Sequence, residues 1–384
     1  MDPDNRRVKL ALLLVSSLTI MAMITISASL PDMTVHFYHV PGADKLVKLT
    51  LSFPGLFIAL TAIVTGIIID KIGRLKLLGV ALVFYAIGGT SGFWLNNIYL
   101  ILAGRAILGV CVGISMTIVT TLVADYYQGQ ARQKFAGLQI AVMSLGGIVF
   151  ITLGGVLADI NWRVPFLLYL FSLVILPFAY GYLKEPKKEH DLNKTYKKIA
   201  SPKMIWFVFV NVMLMWIMFF IIPIQVPFHL KNIGIEKNVL IGIAIASSTF
   251  FSAVSAFSYS KIKDQLSFKQ VFAIGYFLMA VAFVIIAFGN SYLLVMISML
   301  LAGLGMGIMI PNANVWIMQL APLEIRGREI GRLTTFWFMG QFLSPLLLLP
   351  LLEILTQSQL FLVLAGILVI LCILFLILNS RTNN

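Results

Sequence analysis

Twelve apolar stretches, most of about 20 residues, run through this 384-residue chain, and no water-soluble core could hide them all. A hydrocarbon layer about 30 Å thick is the solvent such stretches require. Only 11% of the residues are charged, against roughly 25% in a soluble domain. Spans are expected near 10–30, 47–69, 76–94, 98–122, 135–158, 163–183, 204–228, 239–258, 270–288, 291–318, 331–355 and 358–379. Backbone polar groups in lipid must be satisfied within the segment, so each span is predicted to be helical. A transmembrane β-barrel would need short alternating strands, and nothing here alternates. The expected fold class is an all-α membrane protein with twelve transmembrane helices.

The net charge of +13 reads as orientation and not as a nucleic-acid partner. With the N-terminus inside, most Lys and Arg fall in cytoplasmic segments, whereas the outer side holds only Lys45, Lys48, Arg163, Lys231 and Lys237. That asymmetry follows the positive-inside rule and puts both termini in the cytoplasm. The first span follows Arg6, Arg7 and Lys9 and ends near Ser27-Ala28-Ser29, but its apolar run is too long for a signal peptide, so it is expected to be retained. Cys111 and Cys372 both lie in apolar spans and argue against a disulfide framework. No metal-ligand cluster, no cofactor motif and no phosphate-binding GxxxxGK[ST] loop is legible, so neither metal chemistry nor ATP drive is expected. No span carries a catalytic constellation, and an enzyme is not expected.

The only long polar connection, 184–203, divides six spans from six. Shifting the second half back by 194 residues superimposes Asp70 on Asp264, Gly109 on Gly303, Gly113 on Gly307, Arg132 on Arg326, Gly137 on Gly331 and Gly146 on Gly340. The expected units are therefore an N-terminal six-helix bundle over 1–183, a cytoplasmic linker over 184–203 and a C-terminal six-helix bundle over 204–384. The two are related by an axis along the membrane normal.

These features resemble the major facilitator superfamily over essentially the whole chain. The turn Gly66-Ile67-Ile68-Ile69-Asp70-Lys71-Ile72-Gly73-Arg74 is similar to that superfamily's signature between helices 2 and 3. Arg105-Ala106-Ile107-Leu108-Gly109 with Gly113 is similar to its helix 4 motif, and Asn161-Trp162-Arg163 to a further element before helix 6. The resemblance implies a conformational latch in which Asp70 and Arg74 hold helix 11, with Gly73 making the turn and Asp125 and Arg132 extending the charge network. In the second copy Ser267 and Phe268 replace the Gly and the Arg, so a weaker latch is expected there. On helix 5 the chain keeps Gly137, Gly146, Gly154 and Gly155, but Phe150-Ile151 stands where drug antiporters of the superfamily carry Gly-Pro. Gly109, Gly113, Gly146, Gly154 and Gly155 are expected to serve helix packing.

Arg105 lies about seven residues inside its span, roughly 10 Å below the outer surface at 1.5 Å per residue. An intramembrane Arg costs at least about 2.5–3.5 kcal/mol, so it is expected to face a cavity beside an acid. Asp32 is the first candidate partner and Glu353 the second; snorkelling to the outer headgroups is the alternative. Helical spacing then sketches a cavity: Asn211, Met215, Met218, Ile222 and Gln225 on the seventh span, Gly305, Met309, Asn312, Trp316 and Gln319 on the tenth, and Thr25, Ser29 and Asp32 on the first. The bland reading is that these Met and Trp stripes pack helix on helix. Asp32 is also the leading candidate for proton coupling, because no acid sits at the centre of a span.

The function these readings imply is secondary active transport by alternating access, as proton-coupled efflux of drugs or amphipathic metabolites. The alternative is a specific carrier for a sugar, amino acid, carboxylate or siderophore in either direction; a non-transporting sensor on the same fold is a third reading. The expected setting is a bacterial-type cell (inner) membrane, with small-molecule substrate, protons and lipid as partners, no nucleic acid, and a monomer.

Overall fold

The computed structural model describes residues 5–185 and 200–380, and most of the expected linker falls outside them. Among the described residues twelve helices are long and apolar enough to cross a membrane. They are α1 (Arg6–His36), α2 (Ala43–Ile72), α3 (Arg74–Trp94), α4 (Ile98–Tyr126), α5 (Gly129–Ile160) and α6 (Val164–Tyr182), then α7 (Lys203–Asn232), α8 (Asn238–Phe257), α9 (Phe268–Phe288), α10 (Tyr292–Leu320), α11 (Arg326–Glu353) and α12 (Gln357–Ser380). Several run a turn beyond the apolar stretch read from sequence, α1 and α5 most visibly. Hydropathy marks where lipid ends, whereas a helix ends where its free N–H groups find a cap. Asn97 accepts from Tyr99 N at the start of α4, and Ser267 forms a capping box with Gln270 at the start of α9.

Two six-helix bundles follow, each with its own apolar core. Leu12, Leu51, Leu82, Leu108, Phe166 and Ile175 lie in the first, and Val208, Ile241, Phe272, Met299, Leu333 and Phe361 in the second. Large apolar side chains such as Phe84, Ile107, Phe277 and Leu374 remain exposed, as hydrocarbon permits and water would not. The bundles meet along two seams, α2 against α11 and α5 against α8.

Glycine lets backbones approach at both seams. A Cβ on Gly55 would lie 2.9 Å from Phe338 O, and one on Gly155 2.6 Å from Asn238 O. Within the first bundle a Cβ on Gly109 would lie 2.5 Å from Pro54 O, one on Gly113 3.0 Å from Thr61 Cβ, and one on Gly154 2.1 Å from Thr25 O. Gly146 has ordinary room, with Ser17 Cβ at 3.5 Å.

Helix breaks supply the remaining shape. α1 tightens at Ser27–Ser29 before its last two turns, and α2, α7, α10 and α11 contain Pro54, Pro223 with Pro227, Pro311 and Pro345. Each internal Pro strips a partner from the carbonyl four residues earlier. In lipid that carbonyl needs a substitute.

Gly109→Leu should overpack α4 on α2 and lower the melting temperature of the purified protein, at a cost of about 1–3 kcal/mol or more. Gly366→Ala, on α12 with nothing within 4 Å of the added carbon, should leave it unchanged. Equal melting of the two variants would contradict the close approach.

Candidate functional site

Arg105 has no solvent exposure and sits in the middle of the first bundle, not in a cavity. Its Nε donates to Thr50 O at 2.8 Å, its Nη2 to Ala22 O at 2.7 Å and its Nη1 to the Tyr169 hydroxyl at 2.9 Å. Both carbonyls lie where a helix fails to supply its own donor. Pro54 removes the partner of Thr50 O, and Ala22 lies in the last turn of α1 before its break. The expected ion pair with Asp32 or Glu353 is absent, and so is snorkelling. A five-donor guanidinium meets two stranded carbonyls and a phenol, which calls for no acid. The same logic joins the bundles at Ser27, whose hydroxyl donates to the Pro223 carbonyl that Pro227 leaves without a helical donor.

Asp32 instead belongs to a polar seam at the end remote from the termini. Its carboxylate accepts from Asn238 Nδ2 at 2.8 Å and lies 3.4 Å from Lys231 Nζ. Asp159, absent from the sequence reading, caps α8 across the same seam, accepting from Asn238 N and from Val239 N at 2.5 and 3.1 Å. Lys45 and Glu353 pair across the other seam, and Lys48 Nζ lies 4.5 Å over the Phe228 ring. These polar contacts tie the two bundles together at the far end.

At the end that carries the termini, the described contacts stay within each bundle. Gly73 adopts φ 94°, a left-handed conformation that favours glycine, and turns α2 into α3. Arg74 forms an ion pair with Asp125 of α4, while the Glu185 carboxylate accepts from Arg74 N at 2.8 Å and Leu75 N at 2.9 Å. Arg132 is exposed and shows no contact to Asp125 among the described residues. The Asp70 side chain lies outside the described residues. In the second copy Ser267 caps α9, and Lys263 Nζ lies 4.1 Å over Phe268, so the degraded turn has become a helix start.

Between the bundles lies a cavity of about 400 Å³. Its walls come from α1, α4 and α5 on one side and α7, α8, α10 and α11 on the other, and none of its described lining residues is charged. The second bundle contributes Trp216, Phe219, Phe220, Met306, Trp337 and Gln341; the first contributes Ser16, Met23, Met116, Gln139 and Met143.

The cavity stripe expected from sequence is thereby corrected. Asp32, Arg105, Asn211, Met215, Gln225, Asn312 and Trp316 do not line it. Asn211 accepts from the Tyr276 hydroxyl at 2.7 Å inside the second bundle. Asn312 bridges the Tyr259 hydroxyl at 3.2 Å and Phe268 O at 2.9 Å, and burial pushes the Tyr259 phenol up to about 12, which keeps it a donor. Trp316 stacks on Phe268 with centroids 5.5 Å apart, Met215 is wholly buried, and the Gln225 carbonyl accepts from Gln357 Nε2 at 2.9 Å. The phase on α7 and α10 was one position out: Trp216 replaces Met215, and Ile310 replaces Met309. One step turns a helix by about 100° and exchanges a cavity face for a packing face.

Two kinds of polar group stand out in the lining. Ser16 and Ser248 donate to carbonyls of their own helices at 2.7 Å, and Gln139 Nε2 donates to Ser16 at 2.9 Å. By contrast, Trp216 Nε1, Trp337 Nε1 and both amide atoms of Gln341 are buried and find no partner among the described residues. A group left so costs about 1–3 kcal/mol until something meets it.

Two helical bundles, tied at one end and enclosing an uncharged cavity, define a multi-pass membrane carrier. The Major Facilitator Superfamily matches residues 12–249 and again 209–384, and the chain belongs to it. The Quinolone resistance protein NorA of Staphylococcus aureus is 24% identical over 320 residues, covering 80% of this chain and 81% of that protein. The Bacillibactin exporter of Bacillus subtilis (strain 168) is 25% identical over 306 residues, covering 73% and 75%. In fold, the chain is similar to a bacterial homologue of the human lysosomal transporter Spinster, solved inward-facing and unoccupied. The TM-score is 0.80 at 14% identity, covering 99% of this chain and 98% of that one. Family and fold are those of transporters, not of enzymes.

Arg105→Leu should strand Ala22 O, Thr50 O and the Tyr169 hydroxyl, and cost several times the roughly 1–3 kcal/mol of one such group. Thermal melting in detergent should fall sharply for that variant and stay near wild type for Asp32→Asn. Matching losses would restore the Arg105–Asp32 pair.

Proposed function

We propose that this transporter exports drugs or amphipathic metabolites in exchange for protons, with both termini in the cytoplasm. The observation that carries the reading is the cavity, whose uncharged wall of Trp, Phe and Met is interrupted by a few amides and hydroxyls. Thioethers and aromatic faces repack around guests of different shape, whereas a sugar needs a denser polar array. The name of one relative, a quinolone resistance protein, points the same way.

With the termini inside, the far-end seam is the outer gate, and the cavity opens toward the cytoplasm. Asp32 is the proposed coupling acid. It is a carboxylate of one bundle bonded to Asn238 and Lys231 of the other, so a proton arriving from outside weakens the gate. Asp70, Gly73, Arg74, Asp125 and Arg132 form the proposed latch for the opposite state. In this structure the Arg74–Asp125 pair ties the start of α3 to α4 beside the Gly73 turn. The protein is proposed to work as a monomer in a bacterial-type cell membrane. The name of the bacillibactin exporter favours, as a second reading, a carrier dedicated to one metabolite.

Proteoliposomes holding a pH-sensitive dye test the proposal. Several amphipathic compounds should each drive proton movement, and Asp32→Asn should abolish it while the protein stays folded. Asp70→Asn should reduce flux strongly. A response to a single polar compound would favour the dedicated carrier, and proton movement unchanged in Asp32→Asn would remove Asp32 from the coupling.

A further inference from the structure

The buried polar atoms of the cavity wall that find no partner among the described residues belong to the second bundle. Trp216 on α7 and Trp337 on α11 stand with ring centroids 6.0 Å apart at 34°, and Gln341 follows Trp337 by one helical turn. Gln341 is wholly buried, yet neither its Nε2 nor its Oε1 meets a partner among the described residues. Pro345 also removes the usual helical donor of the Gln341 carbonyl. Nothing among the described residues compensates this cluster. The first bundle's Ser16 and Gln139, facing it across the cavity, are already engaged with each other and with Leu12 O.

We propose that Trp216, Trp337 and Gln341 form a polar anchor that selects neutral, planar aromatic compounds bearing a carbonyl or carboxamide edge, in preference to lipophilic cations. The inference rests on the cavity being the transport site and deepens that reading. Two indole N–H groups and an amide N–H₂ supply donors for a carbonyl oxygen, and Gln341 Oε1 accepts from a carboxamide N–H. The paired indoles offer a planar ring an aromatic surface to pack against. A quaternary ammonium offers no acceptor to these donors, and no described carboxylate lines the cavity to neutralise it. Ring faces alone would attract a cation, but they leave every N–H of the cluster unmet. Gln341 also borders the seam, its Cδ 3.3 Å from where a Gly55 Cβ would stand.

The test is calorimetric binding to the purified protein in nanodiscs, with empty nanodiscs as blank. The ligands are 2-naphthamide and 2-naphthyl-trimethylammonium. The amide should bind at least about tenfold more tightly, the scale of one hydrogen bond left unmade in a dry site. Gln341→Leu should weaken 2-naphthamide by about tenfold and leave the cation unchanged, with Gln341→Asn restoring part of the loss. Trp216→Phe and Trp337→Phe keep the ring and remove only the N–H, so each should repeat the selective loss in a protein that melts normally. Equal or tighter binding of the cation, no heat with the amide, or equal losses for both ligands would overturn the anchor. Binding needs no proton gradient, which separates the two claims. Selective amide binding without proton movement removes antiport and keeps the anchor, whereas proton-coupled cation flux indifferent to Gln341→Leu does the reverse.

Discussion

Lipid offers no hydrogen bonds, and most of the detail in this protein answers that one constraint. Helices satisfy their own backbones, so trouble begins only where a helix breaks. The N-terminal bundle breaks at Ser27–Ser29 in α1 and at Pro54 in α2, and a single buried side chain, Arg105, reaches the carbonyls at Ala22 and Thr50. Arg105 thereby joins α1, α2, α4 and, through Tyr169, α6. An arginine in the membrane reads from sequence as a charge in need of an acid. Here it is a set of donors in need of acceptors, and bent helices provide them.

The breaks are not defects to be patched; they shape the route through the protein. Pro223 and Pro227 interrupt α7 beside the cavity, and the Pro223 carbonyl that Pro227 leaves free is met by Ser27 of the opposite bundle. The contact that satisfies a helix break is therefore also one of the contacts that close the far end. Around it, Asp32 and Asp159 hold the start of α8, and Lys45 meets Glu353. A closed end made of a few hydrogen bonds and ion pairs costs little to open, whereas a fused apolar core would not open at all.

Much of this was legible in the sequence. Twelve spans follow from apolar length, and two bundles from Asp70, Gly109, Gly113 and Arg132 recurring at one offset. The cavity face was not legible from polarity and Met content, because the polar residues of α7 and α10 that stand out, Asn211 and Asn312, serve Tyr276 and Tyr259 inside their own bundle. The signal that could have found it is the repeat itself. At the same offset of 194 residues, Met116 matches Ile310, Thr120 matches Asn314, Met143 matches Trp337 and Ser144 matches Phe338. All eight line the cavity. Asp159 escaped because its role depends on a helix start 79 residues away, which no local pattern announces.

The central claim is that the cavity works by rocking two bundles about a far end that must open. The direct measurement is transport by protein carrying cysteines in place of Lys45 and Glu353, with Cys111 and Cys372 replaced, before and after a short thiol crosslinker joins the two. Rocking bundles predict that crosslinking stops flux, that ligand binding in the cavity survives, and that cleaving a reducible linker restores transport. Flux that continues at full rate with the far end locked would contradict alternating access through this seam.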